Sequence, residues 1–131
     1  MKPHVKALRK VFQTRTRIGK LIAADTCEKC LRHKDEFDRK LELHHKIALK
    51  DVDPDSGYDP NVQENLATLC HDCHKSFHAS YEDMAYVDWF NNVSLKDCYE
   101  SLAAHRAEKA RIRSENAMKH RNRSSQSSSS T

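Results

Sequence analysis

The chain is short of apolar residues: over 131 residues only 37% are hydrophobic and 7% aromatic, while 32% are charged. Ordinary globular chains carry roughly 45–50% apolar residues, so a large apolar core is excluded. No apolar run approaches the ~20 residues that a membrane helix needs. The opening Met-Lys-Pro-His is followed by no apolar signal core, which predicts a soluble, cytoplasmic protein. No internal repeat is visible beyond a paired Cys-x2-Cys.

Charge is the first positive feature. The net charge is +4, but it is unevenly spread. Residues 1–34 hold ten Lys/Arg against two acids, residues 35–100 six against fifteen, and residues 101–131 seven against two. A basic, acidic, basic order predicts two arms with affinity for phosphate around a centre with affinity for cations, or two solvated helices flanking an acidic surface.

Local patterns place the elements. Val5, Leu8, Val11 and Phe12 have helical spacing, predicting a helix over 4–13. Ile18, Leu21 and Ile22 predict a second helix, or its continuation, ending near Asp25. Leu41, Leu43, His45 and Ile47 alternate with polar residues, as a strand does. Residues 51–60 are dense in turn formers and read as a loop, and the run from Asn65 to Leu69 reads as a second strand. A helix is expected over 71–80. Tyr81, Tyr86, Trp89 and Phe90 read as lid or core residues. A long helix begins at Ser94, whose spacing to Asp97 resembles a capping box, and runs to about Lys119. The serine tail, 124–131, can bury nothing and is expected to be unstructured.

Five cysteines fall into Cys27/Cys30, Cys70/Cys73 and Cys98. Without a secretory signal, disulfides are disfavoured, and a redox Cys-x2-Cys would need a βαβ context that is absent. Two such knuckles suit a closed tetrahedral structural zinc. The 39 residues between Cys30 and Cys70 require a substantial hairpin between the knuckles. Cys98, on an apolar helical stripe, reads as a small core residue. Four thiolates add negative charge to the middle segment, and two divalent cations return it, so the acidic centre reads as a metal-loading segment.

Between and after the knuckles stand His44, His45, Asn65, His74 and His78. On a helix, His74 and His78 are neighbours at i and i+4. Such a pair leaves coordination positions open for water and substrate, as a catalytic metal requires. Imidazole ligands suit Zn, Ni, Co or Mn better than Mg. Adjacent strand residues point to opposite faces, so His44 and His45 can share a site only where the strand twists or ends.

Taken together, Cys27-x2-Cys30, Leu43-His44-His45, Asn65-Leu66-x2-Leu69-Cys70-x2-Cys73-His74 and His78 resemble the HNH endonucleases. The resemblance covers roughly residues 25–80. It implies an α+β fold: a ββα-metal (His-Me finger) core braced by a four-cysteine zinc, here with flanking N- and C-terminal helices. It also implies a metal-dependent DNA endonuclease leaving 5′-phosphate and 3′-hydroxyl ends. Under it, His45 matches the general base and Asn65 the central Asn that braces the inter-strand loop and helps hold the base. His44, His74 and His78 match ligands of one catalytic divalent cation (Mg²⁺, Mn²⁺, Ni²⁺ or Zn²⁺), and Cys27, Cys30, Cys70 and Cys73 match the structural zinc set. The acidic loop 51–60 departs from the family's Gly-rich turn and should repel a phosphate backbone unless it faces away from DNA.

The expected organisation is a basic N-terminal helical arm (1–24), the nuclease core (25–80), a C-terminal helical extension (81–123) and the serine tail (124–131). Lys2, Lys6, Arg9, Lys10, Arg15, Arg17 and Lys20 in the first arm are candidates to touch the phosphates of double-stranded DNA. Arg111, Arg113, Lys119, Arg121 and Arg123 are their counterparts in the last. Their spacing suits backbone positioning better than base readout. The expected partner is DNA, with no membrane, and a homodimer or a larger phage or mobile-element complex stays open. The alternative is a non-catalytic zinc module that binds nucleic acid or protein, which would need the cysteines but not the histidines together.

Overall fold

The computed structural model describes residues 1–129, with side chains described to residue 123. The unstructured tail expected over 124–131 therefore falls outside the fully described residues.

Helix α1 (Pro3–Arg17) starts with proline in its first turn, where the missing N–H costs nothing, and carries Arg15 and Arg17 in its last turn, opposite the dipole's negative end. The helix expected over 18–25 does not form. Gly19 takes φ +80°. Its N–H donates to the Thr16 carbonyl at 3.1 Å, and the Lys20 N–H to the Arg15 carbonyl at 2.9 Å. These two bonds are a Schellman cap, which ends the helix at a residue free to adopt the left-handed region. Leu21 still reaches the core from the segment that follows, while Ile22 stays exposed. The apolar spacing was real but did not encode a helix.

Strand β1 (Glu42–His45) pairs antiparallel with β2 (Leu66–Leu69), His44 facing Ala67 and His45 facing Leu66. β2 is buried along its whole length. It leads into α2 (His71–Ser76), which runs on as a π-helical turn over Phe77–Tyr81. Strand, strand and helix form an α+β core, with α1 before it and two helices after it, α3 (Tyr86–Asn92) and α4 (Leu95–Ser129). None of the described helices is long and apolar enough to cross a membrane.

The apolar core is small and mixed with sulfur. Trp89, Leu69, Cys27, Cys73 and Cys98 are fully buried, with Phe77, Tyr86 and Val93 around them. The Trp89 ring meets Phe77 edge-on at 5.2 Å, a favoured aromatic geometry. Lys29, between the first two cysteines, lies over the Trp89 ring at 4.9 Å. Its ammonium donates to the carbonyls of Phe90 at 2.8 Å and of Val93, so the first knuckle closes the C-terminal end of α3.

Ser94 caps α4 by accepting the Asp97 N–H at 3.1 Å. Its first turns pack: Cys98 and Leu102 are buried, and Ser76 donates to the Cys98 carbonyl at 2.9 Å. From Ala103 to Arg123 the helix is mostly solvated, laced by pairs such as Arg111 with Glu108 and Glu115.

Candidate metal centres

The two knuckles meet. Ligand atoms of Cys27, Cys30, Cys70 and Cys73 all lie within 4.8 Å of one another, and all but Cys30 are buried. A tetrahedral zinc with Zn–S bonds of about 2.3 Å holds its sulfurs about 3.8 Å apart, the scale of this cluster. Local geometry turns sulfur inward. Cys70 is the N-cap of α2, and its Sγ accepts the Cys73 N–H at 3.4 Å. After Cys30 the chain reverses through Leu31 at φ 64°, with the Leu31 N–H on the Cys27 carbonyl at 2.9 Å. Hydrogen bonds from Cys70 and Cys73 hold the Cys27 thiol far below its ordinary value, while bonds to Cys27 and Cys70 push Cys73 far up. Four thiols crowded in this way, three of them buried, cannot all ionise by themselves, and a divalent cation removes that obstacle. The donor set fits zinc.

The histidines form a second cluster. β1 places Glu42 and His44 on one face, at i and i+2, and α2 with its π turn presents His74 and His78 to that face. Their ligand nitrogens lie within 4.8 Å of one another. Three observations fit a cation. His44 Nε2 is buried without a hydrogen-bond partner among the described residues. His74 Nε2 faces His78 Nε2 at 3.0 Å, close to the ~3.3 Å edge of a tetrahedron with N–metal bonds of 2.0–2.1 Å. Finally, His74 Nδ1 donates to Glu42 Oε1 at 2.7 Å, which puts its proton on Nδ1 and leaves Nε2 as the donor atom.

Electrostatics keep His44 and His78 neutral. Burial, reinforced by His74, His78 and His45, pushes His44 down to about 3. Burial and His74 also lower His78. Burial alone would raise the Glu42 carboxyl, but hydrogen bonds from His74 and His71 outweigh it and hold it below the ordinary carboxylate range. Glu82 stands 3.6 Å from His78 Nδ1, so each helical histidine has a carboxylate behind it.

His45 ends β1 and points to the other face, against α1. The Phe12 ring meets it edge-on at 4.6 Å, and its Nε2 lies 2.8 Å from Asn61 Oδ1. Burial lowers its titration, with the Asn61 bond pulling the other way. Because the strand ends here, His44 and His45 line one cavity of about 320 Å³ together with His74, His78, Phe12, Arg9 and Lys50.

Asn65 is buried. Its Oδ1 accepts the Ile47 N–H at 2.9 Å, and its Nδ2 donates to the carbonyls of Pro60 at 3.0 Å and Ile47 at 3.2 Å. It ties both ends of the inter-strand loop, while the ring of His45 is met by Asn61 instead. Among the basic candidates, Lys6, Arg9, Lys10, Arg17 and Lys20 are exposed on or just after α1, and Arg113 is exposed on α4. Arg15 is engaged by Asp59 at 2.6 Å and by the Asn61 carbonyl at 2.7 Å, and Arg111 by its neighbouring glutamates. The acidic loop is thus partly neutralised by the basic arm.

Sequence reasoning missed Glu42, Asn61, Phe12 and Lys50. Glu42 carried a signal, since it precedes His44 by two residues on a strand. Asn61 carried none.

Residues 27–80 match the family model described as HNH endonuclease, from the first cysteine to just beyond His78. Neither the curated proteins nor the solved structures gave a match.

Proposed function

Residues 27–80 being an HNH segment of nuclease type, we propose that the chain is a metal-dependent DNA endonuclease. One observation carries this reading: three imidazoles converge as a ligand set in the same cavity that His45 lines from the opposite strand face. A divalent cation held by His44, His74 and His78 would neutralise charge on the scissile phosphate and on the leaving oxygen.

This chain's own residues do the rest. His45, neutral at physiological pH, takes a proton from water as the water oxygen bonds to phosphorus and the P–O3′ bond breaks. The products are a 5′-phosphate and, once the leaving oxygen gains a proton from solvent, a 3′-hydroxyl. Asn65 holds the loop that brings Ile47 and Pro60 together behind the site. Arg9 and Lys50, at the cavity wall, meet the phosphate's negative charge. Lys6, Lys10, Arg17 and Lys20 along the first arm, with Arg113 on the last, lie along the backbone of double-stranded DNA. Cys27, Cys30, Cys70 and Cys73 hold zinc and carry no chemistry.

Nicking of supercoiled plasmid with Mg²⁺, Mn²⁺, Ni²⁺ or Zn²⁺ tests the reading. Loss of His45 should cost about 10²–10⁴ in rate. Undiminished cutting by His45→Ala would remove the base assignment. One tight zinc per chain with no second divalent site would favour a binding module instead.

A further inference from the structure

Helix α1 lies outside the segment that matches the nuclease family, yet it closes one side of the histidine cavity. The link runs through Asn61, which is 1% exposed and uses both ends of its amide. Its Nδ2 donates to the Leu8 carbonyl of α1 at 2.9 Å. A carbonyl can only accept, so this contact orients the amide: Nδ2 faces the helix and Oδ1 faces His45. Oδ1 lies 2.8 Å from His45 Nε2 and, being an acceptor, requires a proton on that nitrogen. In the neutral imidazole the lone pair is then on Nδ1.

We infer that Asn61, oriented by α1, is the positioning residue for His45, selecting the Nε2–H tautomer and leaving Nδ1 as the atom that accepts the proton from water. This inference rests on His45 acting as the base in the reading above.

The surrounding contacts fix Asn61 from every side. Asp59 Oδ1 accepts the Asn61 N–H at 3.0 Å. Arg15 of α1 donates to the Asn61 carbonyl at 2.7 Å and to Asp59 Oδ2 at 2.6 Å. Phe12, one turn along α1 from Leu8, sets its ring edge-on to His45, limiting rotation of the imidazole. The basic arm therefore has two jobs on two faces. Leu8, Phe12 and Arg15 build the base's cradle, while Lys6, Lys10 and Arg17 remain exposed.

The test begins with the unmodified full-length, zinc-loaded chain. Long-range ¹H–¹⁵N correlation of the histidine rings should show neutral His45 with its proton on Nε2; a proton on Nδ1 overturns the inference. Asn61→Ala should then lower kcat for plasmid nicking about 10-fold or more, short of the 10²–10⁴ of a lost base, with KM and divalent affinity unchanged. Asn61→Asp keeps an acceptor opposite Nε2 and should recover most of that loss. Equal losses in the two variants would reduce Asn61 to a purely structural part. If neither variant folds, the tautomer in the unmodified chain decides. Cutting by a chain whose His45 carries its proton on Nδ1 removes the positioning role alone. Absence of cutting by the unmodified chain removes the nuclease reading itself and leaves the tautomer result standing.

Discussion

Cys70 and Cys73 open α2, and His74 and His78 follow within two turns, so both clusters hang on one short helix. They are nonetheless built in opposite ways. The cysteine cluster offers four ligands, three of them buried, packed directly against Leu69, Phe77 and Trp89. The histidine cluster offers three ligands graded from buried to exposed, beside a cavity that reaches the basic arm. A full ligand set inside a core leaves no position for substrate, whereas three ligands beside a cavity do. The first arrangement supports a fold and the second suits a reaction.

The sharpest way to break this contrast is to remove one ligand from each. Cys73→Ala should abolish cooperative folding, because zinc at such sites contributes about 10–16 kcal/mol to folding. His44→Ala should lower the thermal midpoint only by the cost of truncating one buried ring, far less than Cys73→Ala, while eliminating the second divalent site. Melting followed by circular dichroism, with metal counted per chain, checks both. Similar melting losses in the two variants would end the division of labour.

A smaller effect should come from behind the histidines. Glu42 accepts from both His71 and His74, and losing such a partner typically weakens metal binding about 10- to 100-fold. Glu42→Gln should therefore lower affinity for a divalent cation at the histidine cluster by that factor, read by calorimetric titration, with the zinc count unchanged. Unaltered affinity would show that His74 needs no carboxylate to orient it.

The smallest change sharpens the cysteine side. Leu31 holds a left-handed backbone at φ 64° with its side chain 76% exposed, so it is strained without packing in return. Such a conformation costs a non-glycine residue about 1–2 kcal/mol, partly offset by glycine's greater entropy when unfolded. Leu31→Gly should stabilise the chain by up to about 1 kcal/mol in chemical denaturation. A loss of stability would mean that the Leu31 side chain packs in solution.

The two candidate ligand clusters were legible because their spacing is local. Two residues between cysteines allow one turn to aim two sulfurs, and three between histidines place them on one helix face; neither depends on the rest of the chain. Alternation from Leu41 to Ile47 located β1, and the short apolar run after Asn65 located β2. The same reasoning failed at 18–25, where Ile18, Leu21 and Ile22 kept helical spacing but Gly19 made a Schellman cap possible. Apolar spacing there foretold neither the path of the backbone nor which side chains are buried: Leu21 is buried from an irregular segment, while Ile18 and Ile22 are exposed. It was also silent on which basic residues stay available: Arg15 and Lys10 look alike in sequence, yet Arg15 is committed to Asp59 and Asn61.

The order and spacing of Cys27, Cys30, His44, His45, Asn65, Cys70, Cys73, His74 and His78 determined by themselves which donors were available and what family they resembled. Short-range stereochemistry limits what each small group can do, so no distant residue had to be known. Tertiary structure alone decided that β1 stops at His45, that Glu42 rather than solvent meets His74, and that α1 places Leu8, Phe12 and Arg15 around Asn61 and His45. Those contacts join residues dozens of positions apart, and hydrogen-bond direction between such groups exists only once the chain has folded and excluded water from around them.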